Sequence, residues 1–169
     1  FIYRKDDSVL IIPESSKSGQ TDVYVYDEVT DEVKKIATFC HLPLTDAVLV
    51  DMPDGKQYVL STKEPTPNKD HLQIYAADTE SWKMTEIPLQ DVLFDSRIAR
   101  NAGDVFEVDG VMYRPAQDCN KGYGHGVVIQ QISYHDGQFA FETIRTFFSD
   151  NPEFDMGYHT FNRMNGLIS

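Results

Sequence analysis

The chain has 169 residues, 41% of them hydrophobic and 12% aromatic, with 15 Lys and Arg against 27 Asp and Glu and a net charge of −12. A chain this long removes roughly 70% of its unfolded surface from water, and its aromatic content is too high for disorder, so one compact domain is expected. The acid excess argues against nucleic acid, where affinity rests on Lys and Arg neutralising phosphates, and disfavours anionic membrane surfaces for the same reason.

Strand signals run the length of the chain. Short stretches rich in β-branched and aromatic residues occupy 1–3, 9–12, 23–26, 35–39, 47–50, 58–61, 72–76 and 84–87, then 105–108, 111–114, 127–133 and 139–146. Between them fall Asp6-Asp7, Asp54-Gly55, Asp109-Gly110 and Asp136-Gly137, the last three of the type that favours tight primed hairpin turns. No stretch repeats apolar residues at helical spacing without meeting Pro or Gly. The chain therefore reads as all-β. No apolar run approaches the ~18–20 residues needed to cross a bilayer, and the opening Phe1-Ile2-Tyr3, without Met or signal-peptide features, reads as an internal segment. Cys40 and Cys119 form no CxxC pair and are expected as two separate buried thiols.

The strands recur in register. The unit strand, acidic turn, strand, proline appears at 1–14 and again at 104–116, and 47–61 repeats the hairpin with a longer turn. The turn acids Asp6, Asp54 and Asp109 lie 48 and 55 residues apart. A third and a fourth strand follow each hairpin, and four antiparallel strands at a period near 50 are the signature of β-propeller blades, with a β-sandwich as the competing architecture. Repeats fall at about 1–40, 46–90 and 102–148, with 157–169 starting a further blade. Three units do not close a ring that typically needs four to eight, so 1–169 is expected to be one partial propeller domain.

Familiar catalytic and phosphate-binding motifs are absent from the sequence, and His41, His71, His125, His135 and His159 are isolated, so neither a metal site nor a cofactor is expected. One region is unusually polar for inner propeller strands: Arg97 to Gly103, then Tyr113 to Gly124. Arg forks, amides and carboxylates beside Tyr rings supply what a sugar-hydroxyl or phosphate site uses, and equally what a network tying neighbouring blades uses. Arg100, Arg114, Gln117, Asp118 and Tyr123 are the candidate ligand contacts there. Glu14 and Asp46, read as inner-strand positions of their repeats, are candidates for carboxylate chemistry.

Tyr113-Arg114-Pro115-Ala116-Gln117-Asp118-Cys119, preceded by Ala99-Arg100-Asn101-Ala102-Gly103, resembles a block of the N-terminal propeller domain of the glucosamine inositolphosphorylceramide transferase family. Ile11-Ile12-Pro13-Glu14-Ser15 and the closing His159-Thr160-Phe161-Asn162-Arg163-Met164-Asn165-Gly166-Leu167 resemble two further elements of it, so the likeness spans the chain and adds Glu14 and His159 to the candidate binding residues. That family is in turn similar to the five-bladed propellers of arabinanases, levansucrases and invertases. The resemblance implies about three blades of a five-bladed propeller, with Asp46 matching the hydrolases' pKa-tuning Asp and Arg100 standing where their acid Glu belongs. Arg stays protonated near neutral pH and cannot serve as a general acid. Asn101 stands where the family usually has Pro.

Three functions follow as expectations. The first is a carbohydrate-recognising module of a glycosyltransferase-like protein, binding a sugar, sugar-nucleotide or glycolipid head group, with an adjoining transferase domain or further blades as partners. The second is a hydrolase using Asp46. The third is a non-catalytic scaffold for a neighbouring catalytic domain.

Overall fold

The structure, a computed structural model, describes residues 1–5, 7–164 and 167–168. The turn acid Asp6 and the Asn165-Gly166 pair of the closing segment lie outside the described residues. Among those described, the strands form three successive antiparallel sheets. The first is β1 (Ile2–Lys5), β2 (Ser8–Ile11), β3 (Thr21–Asp27) and β4 (Glu32–Cys40), paired in that order. The second is β5 (Leu44–Asp51), β6 (Gln57–Lys63) and β7 (His71–Asp78), with β8 (Lys83–Met84) and β9 (Gln90–Leu93) both along the outer side of β7. The third is β10 (Phe106–Val108), β11 (Val111–Asp118), β12 (Gly126–His135) and β13 (Gln138–Phe148), and a short ladder of β14 (Arg163–Met164) with β15 (Leu167–Ile168) follows.

The period-two alternation of side chains makes these sheets stack face to face. On β6, Val59 joins Leu10, Ile12, Val23 and Phe39 of the first sheet in one core, while its neighbours Tyr58 and Leu60 join Ile132 and Phe139 of the third in another. On β7, Tyr75 faces the first core and Leu72 and Ile74 the second. Val127 and Ile129 pack with Ala102 and Phe161, beyond the third sheet. Val59, Leu60 and Leu72 are each wholly buried, a gain of about 1.5–3 kcal/mol per side chain. A sheet buried on both faces between its predecessor and its successor is a propeller blade, and a two-layer sandwich has no such sheet. The chain is all-β and built of propeller blades.

Local details refine the strand reading. Asp109-Gly110 and Asp136-Gly137 have φ of 52° and 78°, and 51° and 81°, as primed turns require. At Asp54-Gly55 only Gly55 has positive φ, 79°, because the turn is longer: Met52 N donates to Lys56 O at 2.8 Å, and Pro53 inside it has a fixed φ. The outer strand of the second sheet, expected through 87, is broken into β8 and β9 on either side of Pro88, which has no N–H to give to the ladder. Cys40 and Cys119 are separate, buried and free. No helix of the described residues is long and apolar enough to cross a membrane.

Candidate functional site

The β5–β6 ladder is irregular between Thr45 and Val48, and Asp46 sits in that irregularity with φ 45°. The left-handed conformation costs Asp less than most residues. It also takes Asp46 out of the ladder, so that its peptide N–H donates to Glu14 Oε2 at 2.9 Å. Glu14 comes from the segment just past β2, the second strand of its sheet, whereas Asp46 is on the first strand of the next.

Opposite, residues 97–102 run beside the end of β11 before β10 begins: Ala102 N donates to Pro115 O, Gln117 N to Arg100 O and Cys119 N to Arg97 O, at 2.8–3.0 Å. This brings two side chains onto one carboxylate oxygen. Arg100 Nε donates to Asp46 Oδ2 at 2.6 Å and Gln117 Nε2 to the same oxygen at 2.9 Å. Arg100 Nη1 also donates to Asn68 Oδ1 at 2.6 Å, and its guanidinium lies 4.9 Å from the centre of the Tyr123 ring. Asn101 Nδ2 donates to the carbonyls of Asp46 at 2.6 Å and Leu60 at 2.8 Å. The third sheet is thereby bonded to the second at the bulge.

Arg114 lies beneath this seam with none of its surface exposed. Its Nε donates to Asn101 Oδ1 at 2.7 Å, Nη1 to Gln130 Oε1 at 2.5 Å and Ile98 O at 3.3 Å, and Nη2 to Ala99 O. The Phe94 and Phe141 rings complete its surroundings, with centres 5.8 and 5.6 Å away. These hydrogen-bond acceptors are uncharged, and burial lowers the guanidinium pKa to about 9.

A cavity of about 470 Å³ opens beside the bulge. Of the candidates from sequence, Glu14, Asp46, Gln117, Tyr123 and His159 line it, joined by Ile12, Leu44 and Asp104. The Tyr123 and His159 rings lie 4.9 Å apart between centres, tilted by 31°, with Tyr123 Oη 3.3 Å from His159 Nδ1. Arg100, Arg114 and Asp118 are not on the wall. Arg100 holds Asp46 from behind. Arg114, expected as a ligand contact, is sealed between sheets, where its fork orients the 98–101 segment. Asp118 is also turned inward, accepting from Asn120 N and Nδ2 at 2.9 and 2.8 Å, with His125 Nδ1 at 3.4 Å, an ion-pair distance without hydrogen-bond geometry.

Loss of hydration raises the Glu14 carboxyl pKa, and the Asp46 charge raises it further, against the lowering effect of the Asp46 N–H bond. Desolvation also raises Asp104, although the residue keeps contact with solvent. The Phe1 nitrogen donates to Ile12 O at 2.7 Å. Among the described residues no cluster of His, Cys, Asp and Glu suits a metal ion. Asn68 and Asp104 were not singled out by sequence. Asn68 sits in the Pro65–Asp70 loop, where Pro and Asn signal only a turn, and Asp104 reads as the start of a strand.

Known proteins share this architecture. A GH43 β-xylosidase/α-arabinofuranosidase from a compost microbial metagenome, solved with xylotriose in a calcium-free form, superposes with a TM-score of 0.63 at 14% identity, covering 99% of this chain and 61% of that one. A bifunctional GH43-CE protein of Bacteroides eggerthii superposes with a TM-score of 0.54 at 12% identity, over 84% of this chain and 18% of that one. At these identities the likeness is one of fold. Glucosamine inositolphosphorylceramide transferase 1 of Oryza sativa subsp. japonica is 24% identical over 137 residues, and that of Arabidopsis thaliana 23% over 140, each across 78% of this chain. The chain spans 18% of the length of these relatives. A family profile matches residues 1–153, and the chain belongs to that family, glucosamine inositolphosphorylceramide transferase 1, N-terminal.

Proposed function

We propose that the chain is a carbohydrate-recognising propeller module of a glycosyltransferase-like protein, part of a five-bladed ring, with the sugar seated in the cavity beside the Asp46 bulge. The observation that carries this reading is the pairing of the cavity with a braced carboxylate. Asp46, held by Arg100 and Gln117, is oriented before any ligand arrives, and such preorganisation lowers the cost of binding. The Tyr123 ring, with His159 tilted against it, supplies an aromatic face beside polar groups, a combination suited to a ring that carries hydroxyls. The transferase activity for which the relatives are named would then belong to an adjoining domain. Calorimetric titration with neutral oligosaccharides, xylotriose among them, should give saturable binding that Asp46→Ala abolishes. Binding of equal strength by the variant would remove the cavity from the proposal.

The hydrolase reading is supported by three carboxylates on one wall, Glu14, Asp46 and Asp104, two with raised pKa. Arg100 weighs against it: the resemblance to the five-bladed hydrolases expects an acid there, and the Arg neutralises Asp46. Release of reducing sugar from arabino-, fructo- or gluco-oligosaccharides would revive it. The scaffold reading fits the buried Arg114–Asp118 stretch and does not account for the open cavity at its end.

A further inference from the structure

We propose that this cavity selects its sugar by charge: it takes a ligand that is neutral or cationic where it enters and rejects one carrying a phosphate or carboxylate there. The inference rests on the sugar-binding reading and narrows it. Arginines in the sequence block suggest an anion site, and the folded chain removes them from the wall. Arg114 is sealed away from solvent. Arg100 is committed to Asp46 and Asn68 and packed on Tyr123, and it is not among the lining residues.

What remains on the wall is acidic. Glu14, Asp46 and Asp104 line the cavity, and no Lys or Arg of the described residues does. Among the described residues His159 is the one lining imidazole. A phosphate entering this space would meet the Glu14 and Asp104 carboxylates, and Asp46, already paired with Arg100, offers it no cation. Hydroxyl or ammonium donors would find acceptors in the Glu14, Asp46 and Asp104 carboxylates. The chain's net charge of −12 extends the same preference to the approach from solution.

The test compares three probes on one skeleton, titrated calorimetrically into the full chain at pH 7.5: methyl β-glucoside, its 6-amino-6-deoxy derivative and its 6-phosphate. The amine is expected to bind at least about threefold tighter than the parent and the phosphate at least about tenfold weaker, the latter equivalent to about 1.4 kcal/mol. The variant Asp104→Asn should shrink both ratios toward one while the parent glucoside still binds. A phosphate that binds as tightly as the parent overturns the charge assignment and leaves sugar recognition standing. Ratios unchanged in that variant overturn the placement of the selectivity in this cavity. Absence of binding by all three probes overturns the sugar reading and this inference with it.

Discussion

Arg100 Nε and Asp46 Oδ2, 54 residues apart in sequence, meet at 2.6 Å across the seam between the second and third sheets. The pair is asymmetric in exposure: the Arg side chain keeps 13% of its surface and the Asp 35%. The cation is thus the structural partner, and the carboxylate is the group left facing the cavity. An acidic chain with few arginines has placed one of them to brace an acid.

The ion pair should be measurable as a coupling. In a double-mutant cycle of Arg100→Ala and Asp46→Ala followed by urea unfolding, the two losses should fall short of additivity by about 1 kcal/mol, the range for partly exposed pairs in hydrogen-bonded contact. Additive losses would mean that the contact contributes nothing to holding the seam.

Arg114 should be far less replaceable. Arg114→Met leaves Asn101 Oδ1, Gln130 Oε1 and the carbonyls of Ile98 and Ala99 without their donor in the interior. A loss of about 3–5 kcal/mol is expected, a large share of the 5–15 kcal/mol available to a typical domain. Arg114→Lys keeps the charge without the planar fork and should lose about 1–3 kcal/mol. The urea midpoints of the two variants give the ranking directly.

Gly124 offers a test of the segment that carries His159. Its φ is 81°, and a Cβ there would collide with the Met156 carbonyl oxygen. Its own carbonyl accepts from Tyr158 N at 2.9 Å. Gly124→Ala should lower stability by about 1–3 kcal/mol and loosen the Tyr123–His159 ring contact. Gly137, with the same φ of 81° and open space around it, is the control: its Ala variant carries only the backbone strain and should melt higher than Gly124→Ala in thermal unfolding.

Glu14 predicts a dependence on pH with a definite sign. Its folded pKa lies above the ordinary 4.5, so the stability tied to its protonated form is present below about that pH and lost as pH rises through the folded value. Glu14→Gln, which still offers an acceptor to Asp46 N, should therefore unfold at higher urea than the parent at pH 7 and at the same urea at pH 3.5. Asp104 has the same sign, so Asp104→Asn should behave likewise.

The blade architecture was legible because its causes are local. Two Asp-Gly turns set their hairpins, and the unbroken apolar run of Tyr58-Val59-Leu60 signals a strand buried on both faces. The break at Pro88 was missed because β9 is half exposed and carries little strand signal of its own. The site was legible as a set of residue types and less so as a division of roles. Arg100 and Arg114 look alike in sequence. One is a brace beside the cavity and the other is buried, because backbone carbonyls of Ile98 and Ala99 complete the second arginine's shell and no sequence pattern announces them. The Asn101 side chain makes three hydrogen bonds, two as donor to carbonyls of the second sheet and one as acceptor from Arg114, that no sequence pattern announces.

The most direct measurement is a map of amide chemical-shift changes across the labelled chain on titration with the tightest neutral sugar. The largest changes should cluster at Glu14, Asp46, Gln117, Tyr123 and His159, the candidates that line the cavity, and should disappear in Asp46→Ala. Changes centred elsewhere, such as the cleft of Lys56, Asp78 and Glu80 on the second sheet, would contradict sugar recognition at the Asp46 bulge.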